Sequence, residues 1–278
     1  MPRVLIAGCG YVGEAAADRF HDAGWELEGW TASAESAARL SDKPFPVRAV
    51  DVTAAVAPGS FDVVIYCVSS RGGDEHEYRR LYFEGAKNLL QAFPESTLLF
   101  TSSTSVYAQA NGAVVDEDSP AEPRHAKGQV LRETEELVLA AGGIVARLGG
   151  IHGPGRSFFL TRFLNGASND QADRLINQVH RDDIVSALEL LAERRDECRR
   201  QIFNVVGDEP VSAREAVTWL SSRLEKPPPM TPGAVRASKR GETNKRVSNR
   251  KLRALGWAPR YPTFQIAMSE SILPSFGF

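Results

Sequence analysis

The stretch Ala7-Gly8-Cys9-Gly10-Tyr11-Val12-Gly13 constrains what this chain can fold into more than any other. An unbroken apolar run, Val4–Ala7, precedes it and reads as a buried strand. From Tyr11 to Ala23 the apolar residues Val12, Ala15, Ala16 and Phe20 fall at helical spacing. A strand must therefore turn directly into a helix across three glycines. Gly8 permits the tight turn, Gly10 lets a pyrophosphate approach the backbone, and Gly13 lets the helix pack closely on the strand. The helix start then offers unbonded N–H groups and a positive dipole end to phosphate. A plain strand-to-helix turn is the alternative, and the strand before and helix after are the context that favours dinucleotide binding.

The next hundred residues repeat the pattern. Apolar runs at Trp25–Thr31, Val47–Val50, Val63–Val68, Thr97–Phe100 and Ile144–Arg147 read as strands. Between them lie helical stripes, one through Tyr78, Leu81, Tyr82, Gly85, Leu89 and Leu90, another through Val130, Leu131, Thr134, Leu137, Val138 and Ala141. Strands alternating with helices predict an α/β fold, a Rossmann-type doubly wound parallel sheet. Residues 1–150 read as the dinucleotide-binding domain and 151–278 as a smaller C-terminal substrate lobe. That lobe carries a helix at Ile184–Glu193, a strand near Gln201–Val205, a helix at Ala213–Leu224 and a breaker, Lys226-Pro-Pro-Pro-Met-Thr-Pro232.

Composition narrows the class. With 33 Lys+Arg against 35 Asp+Glu the net charge is -2, too balanced for a general nucleic-acid binder. Apolar residues at 42% suffice for a sizeable core, and no uncharged apolar stretch is long enough to span a bilayer. The three cysteines, Cys9, Cys67 and Cys198, are scattered, which implies no disulfide framework. A soluble, cytoplasmic protein is expected. The five histidines show no ligand spacing with the cysteines, so no metal is expected.

NAD sites of this type place an acid at the end of the second strand to hold the ribose 2′-hydroxyl. Here that position is Thr31, and Glu28 lies mid-strand, where a solvent-facing or edge role is the plain alternative. Nothing repels a 2′-phosphate, and Thr31 and Ser33 can donate to one, although no Arg stands there to clamp it. NADP is expected over NAD.

The ordered set of motifs resembles the extended short-chain dehydrogenases/reductases of the NAD-dependent epimerase/dehydratase type. It includes the glycine loop, Asp51-Val52 after the third strand, Phe100-Thr-Ser-Ser-Thr-Ser-Val-Tyr107 and Asp116-Glu-Asp-Ser-Pro120. Arg147-Leu-Gly-Gly-Ile-His-Gly-Pro-Gly155, Val179-His-Arg-Asp-Asp183 and Phe203-Asn-Val-Val-Gly207 follow in order. The resemblance implies that Gly8, Cys9, Gly10, Tyr11, Val12 and Gly13 hold the pyrophosphate and that Asp51 and Val52 hold the adenine. It places Ser103 at the family's catalytic serine.

The same resemblance exposes departures. The family's Tyr-x-x-x-Lys pair, counted from Pro123 and back from Glu135, falls on Lys127 and Leu131. None of the six tyrosines has Lys four residues later, so the motif is absent outright. Lys127 is the candidate substitute acid/base, with an exposed helix-start lysine as its alternative; His125 lies two residues before it. Tyr82 stands where relatives carry Asn, on an apolar stripe that suggests core or cleft packing. The pattern is that of an atypical member. It implies an oxidoreductase, epimerase or dehydratase without the usual pair, or a dinucleotide-binding sensor without turnover.

Two further features remain. Cys9, near a helix start that can lower a thiol pKa, is either activated or simply a small buried residue. Between Ala234 and Arg260 stand nine basic residues and one acid, so this run carries +8 while the first 233 residues carry -9. A solvated loop is the alternative to a grip on an anionic small-molecule substrate; the resemblance implies a phosphorylated or nucleotide-linked one, since sugar-nucleotide enzymes of similar organisation grip a diphosphate with arginines of the C-terminal lobe. The apolar faces at Leu81–Leu90 and Val130–Val138 permit a homodimer of the kind relatives form.

Overall fold

Seven strands run parallel through the middle of the molecule. The computed structural model describes residues 1–70, 72–168, 174–229, 231–232 and 243–278. In chain order the sheet uses β1 (Arg3–Ala7), β2 (Glu26–Thr31), β3 (Val47–Ala49), β4 (Val63–Tyr66) and β5 (Thr97–Ser103). A short strand outside the sheet, β6 (Ala113–Val115), precedes β7 (Ile144–Leu148). Two more short strands, β8 (Gly150–His152) and β9 (Gln178–His180), pair only with each other, and β10 (Ile202–Val205) completes the sheet. The spatial order is β10-β7-β5-β4-β1-β2-β3, all parallel. The order reverses direction at β1, where a doubly wound sheet opens a crevice at its strand ends.

Burial on both faces explains the unbroken apolar strands, since helices cover each side. Alternate residues separate cleanly. Val4, Ile6, Val63, Ile65, Ile144, Ala146, Phe203 and Val205 face a cluster shared with α1 (Tyr11–Asp22). Leu5, Ala7, Val64, Tyr66, Leu98, Phe100 and Val145 face the opposite one. After α2 (Ala34–Ala38), the second face is covered by α3 (Glu75–Tyr78), a π turn over Arg79–Glu84, α4 (Gly85–Ala92) and α5 (Ala126–Ala140). The expected single helical stripe from Tyr78 to Leu90 is therefore broken. The Tyr66 hydroxyl donates to the Leu81 carbonyl inside that π turn, and Gly85 leaves room for the phenol.

Beyond residue 150 come α6 (Phe158–Leu164), α7 (Arg181–Glu193) and α8 (Ala213–Leu224), the last with a capping box between Ser212 and Glu215. Of these, α7 packs on α1 beneath the sheet, while α6 and α8 form a separate apolar cluster with Tyr261, Phe264 and Ile272. A later strand, β11 (Lys245–Val247), pairs with β6. No helix among the described residues is long and apolar enough to cross a membrane.

Candidate functional site

The glycine turn forms a cradle at the strand ends. Gly8 has φ +114, and a Cβ there would stand 2.7 Å from the Val68 nitrogen. The Gly8 and Cys9 amides donate to the Trp30 carbonyl at 3.1 and 2.7 Å, which fastens the turn to β2. A Cβ on Gly13 would overlap the Gly8 carbonyl oxygen, so only glycine lets α1 start this close. Gly10 differs. It precedes α1 without a capping side chain, and a Cβ there would meet nothing within 4 Å. The helix start therefore faces open space, with its first amides bonded to no side chain, as a pyrophosphate requires.

The residues within the turn divide their work. Val12 is buried in the core, while Tyr11, half-buried against the same cluster, donates its hydroxyl to the Pro154 carbonyl at 3.1 Å. Cys9 is buried, its thiol 3.7 Å from the Ile6 carbonyl, and burial pushes its pKa up to about 12. This fits the small-buried-residue alternative, since desolvation outweighs the lowering effect of the hydrogen bond at Trp30. Cys67 beneath the turn is likewise pushed up by burial.

At the ribose end Thr31 is buried, and its hydroxyl donates to the Ser33 carbonyl at 3.1 Å, so its proton is already engaged. Ser33 is exposed and caps α2, accepting from the Ser36 amide. Glu28 is not a free edge carboxylate: Trp30 Nε1 donates to it at 2.7 Å and Arg48 pairs with it at 3.2 Å. An arginine does stand near this end after all, on β3 beside Trp30, two-thirds exposed. Sequence order hid it because strand pairing brings it there. Asp51 is exposed and accepts from the Thr53 amide and hydroxyl, which hold its pKa below the usual range, while Val52 is buried beneath.

Ser103 ends β5 opposite Leu148 and caps the following 3-10 turn, accepting from the Ser105 amide at 3.2 Å. Helix α5 packs on that turn, and its N-terminal end lies against α3. There, Lys127 donates to the Gly73 carbonyl and sits 5.0 Å from the Tyr78 ring centre. His125 Nδ1 accepts from the Gly128 amide and caps α5. Leu131 is buried in the core. Tyr82 is buried against Tyr78 and Phe100, with the Ser70 amide 3.4 Å from its hydroxyl.

A buried polar network beneath Ser103 escaped the sequence analysis. Glu135 on α5 accepts from the Ser102 hydroxyl at 2.6 Å and from Arg147 at 3.0 and 2.7 Å. Arg147 stacks 4.8 Å from the Tyr107 ring, and the Tyr107 hydroxyl donates to Asn204 at 2.9 Å. Removing one partner of such a pair strands a buried charge, at about 3–5 kcal/mol. The available signal was Arg147 itself, a lone charge inside the apolar strand Ile144–Leu148. Lys245, 6% exposed, donates to the Tyr107 carbonyl at 2.7 Å, and burial lowers its pKa to about 8.

Within the basic run, Arg236, Lys239 and Arg240 lie outside the described residues. Lys251 stacks on Phe203, Arg253 pairs with Asp208 at 3.5 Å, and Arg260 lies over Tyr261. His180 caps α7 through Nδ1 and bonds Ser271 through Nε2; with His152 beside it, burial lowers the two pKa values to about 4 and about 3. Both rings are neutral at physiological pH.

The model of the NAD dependent epimerase/dehydratase family matches residues 4–205. Protein YeeZ of Escherichia coli strain K12 is 29% identical over 210 residues, covering 69% of this chain and 74% of that one. Among solved structures, a putative NAD-dependent epimerase/dehydratase from Methylobacillus flagellatus superposes with TM-score 0.80 at 26% identity, covering 100% and 99% of the two chains. The human epimerase family protein SDR39U1 (isoform 2), solved with NADPH, does so with TM-score 0.75 at 17% identity, covering 96% and 98%.

Proposed function

Because the chain belongs to the NAD-dependent epimerase/dehydratase family, we propose that it is an NAD(P)-binding oxidoreductase whose Ser103 and Lys127 replace the family's usual pair. One observation carries the dinucleotide part: the cradle is closed by glycine at Gly8 and Gly13 and left open at Gly10. The nicotinamide, when bound, supplies reversible hydride transfer. The chain's own groups then have to bind, orient and manage a proton.

Ser103 orients the substrate oxygen from the end of β5, next to Ser102, whose hydroxyl is bonded into the Glu135–Arg147 network. Lys127 supplies the positive charge that a developing alkoxide needs, and as an ammonium it can donate the proton. Its ammonium is held by the Gly73 carbonyl and over the Tyr78 ring. NADP is the preferred dinucleotide, because among the described residues the carboxylate of the second strand, Glu28, is already bonded by Trp30 and Arg48. The substrate is read as a small anionic carbonyl or alcohol compound, supported by the net +8 of residues 234–260.

The second reading, a dinucleotide-binding sensor, is favoured by Leu131, an aliphatic core residue where the family's lysine would stand. Titration of the purified chain with NADPH and NADH, followed by turnover on a panel of carbonyl acids, separates the two. The oxidoreductase reading expects tighter binding of NADPH and turnover that falls about a hundredfold in Ser103→Ala and Lys127→Met. Tight binding with no turnover on any compound would leave the sensor. Equal turnover in Lys127→Met would remove Lys127 from the chemistry.

A further inference from the structure

We infer that Arg156 and Arg181 form a two-sided guanidinium clamp on the dinucleotide's pyrophosphate, delivered by a strap that closes over the glycine turn. This rests on the dinucleotide reading above and assigns two residues far from the glycine motif to the same ligand.

The strap begins where β8 ends. Gly153 and Arg156 exchange backbone hydrogen bonds at 2.9 and 3.0 Å around Pro154-Gly155, with Gly155 at φ +67. Proline followed by a left-handed glycine is the sequence of a type II turn, so Arg156 projects from a stiff corner. Two contacts dock that corner. Tyr11, the first residue of α1, donates to the Pro154 carbonyl, and the Gly155 amide donates to Ser275 near the C-terminus at 2.9 Å. A Cβ on Gly153 would stand 2.6 Å from the Tyr11 hydroxyl oxygen, so only glycine lets the strap approach.

The docking has an electrostatic consequence. The Arg156 guanidinium lies 5.0 Å from the Tyr11 ring centre and that of Arg181 5.2 Å. Arg181 pairs with Asp182 at 2.8 Å, whereas Arg156 has no carboxylate partner among the described residues. Two cations and one carboxylate thus gather round the ring of Tyr11, the first residue of α1, whose positive dipole end disfavours like charge. An anion seated in the open space at Gly10 would turn that repulsion into attraction. Arginine suits the task, because its planar fork can stack on the phenol and still present N–H groups to phosphate oxygens. A pyrophosphate is the anionic part of the dinucleotide that the glycine turn receives.

The test uses the full chain with NADPH and with ADP-ribose, which keeps the pyrophosphate and lacks nicotinamide. Affinity is measured across a salt series for wild type, Arg156→Gln, Arg181→Gln and the double variant, with unfolding of the ligand-free proteins as a check. The clamp expects each single variant to lose about tenfold for both probes and to show a shallower salt dependence. Arg156→Lys would keep part of the affinity, since the charge is retained. Unchanged affinity and salt slope in the double variant would overturn the clamp. So would a loss of unfolding temperature without any change in slope, which is what simple packing of the strap predicts. If Gly10→Val abolishes binding while the arginine variants bind normally, the dinucleotide reading stands and the clamp alone fails. Wild type binding neither probe would overturn the dinucleotide reading itself.

Discussion

Single atoms decide what each glycine of the turn contributes. Gly8 and Gly13 are steric necessities of the fold, since a Cβ on either would run into backbone, whereas Gly10 borders empty space. The three positions should therefore respond differently to substitution. Gly13→Ala is expected to destabilise the protein by about 2 kcal/mol or more, because the clash is with a carbonyl and α1 must shift. Gly10→Val should leave unfolding by urea unchanged and reduce NADPH affinity at least tenfold, since the side chain fills the space a pyrophosphate needs. Equal losses of stability at both positions would contradict this division. Cys9 illustrates the same scale: its place beside a helix start suggested reactivity, but burial dominates and keeps the thiol protonated.

At the scale of elements, the connections that matter run between pieces remote in sequence. Asp183, in the first turn of α7, is 2% exposed and accepts from the backbone amides of Arg260 at 2.6 Å and Tyr261 at 3.1 Å. It fastens the C-terminal segment to the helix beneath the sheet. Burial pushes its pKa from 3.8 up to about 6, against the lowering effect of those two donors. The folded protein thus holds this proton more tightly than the unfolded chain does. Protonation favours the fold, so this group adds stability as pH falls from about 6 towards 4 and withdraws it as pH rises again. Wild type should consequently lose less stability than Asp183→Asn between about pH 6.5 and pH 4.5, measured by urea unfolding. A larger acid loss in wild type would show that the carboxylate is held ionised instead. The π turn through Tyr82 is another event of this scale, set by the phenol of Tyr66 on the neighbouring strand.

For the molecule as a whole, ligand linkage gives the most direct check. A dinucleotide that binds only the folded chain stabilises it by about 2.7 kcal/mol at a hundred times its Kd. For a chain of this length that corresponds to a rise of roughly 4–5 °C in Tm. NADPH should produce such a rise, and NADH at equal concentration a smaller one; identical shifts would remove the preference for NADP.

The sequence by itself determined the parallel sheet, its first six strands, the glycine turn and the loss of Tyr-x-x-x-Lys. Each depends on contacts within one strand–turn–helix unit or on residue identity at a counted position, so periodicity and spacing carry it. Only the tertiary structure decided which remote groups meet. Arg48 reached Glu28 through strand pairing, Glu135 met Arg147 across a helix–strand interface, and Arg156 came to Tyr11 through the folding back of the strap. A buried ion pair or a stacked cation has no period along the chain. Its partners are chosen by the close packing of elements, which local sequence does not encode one residue at a time.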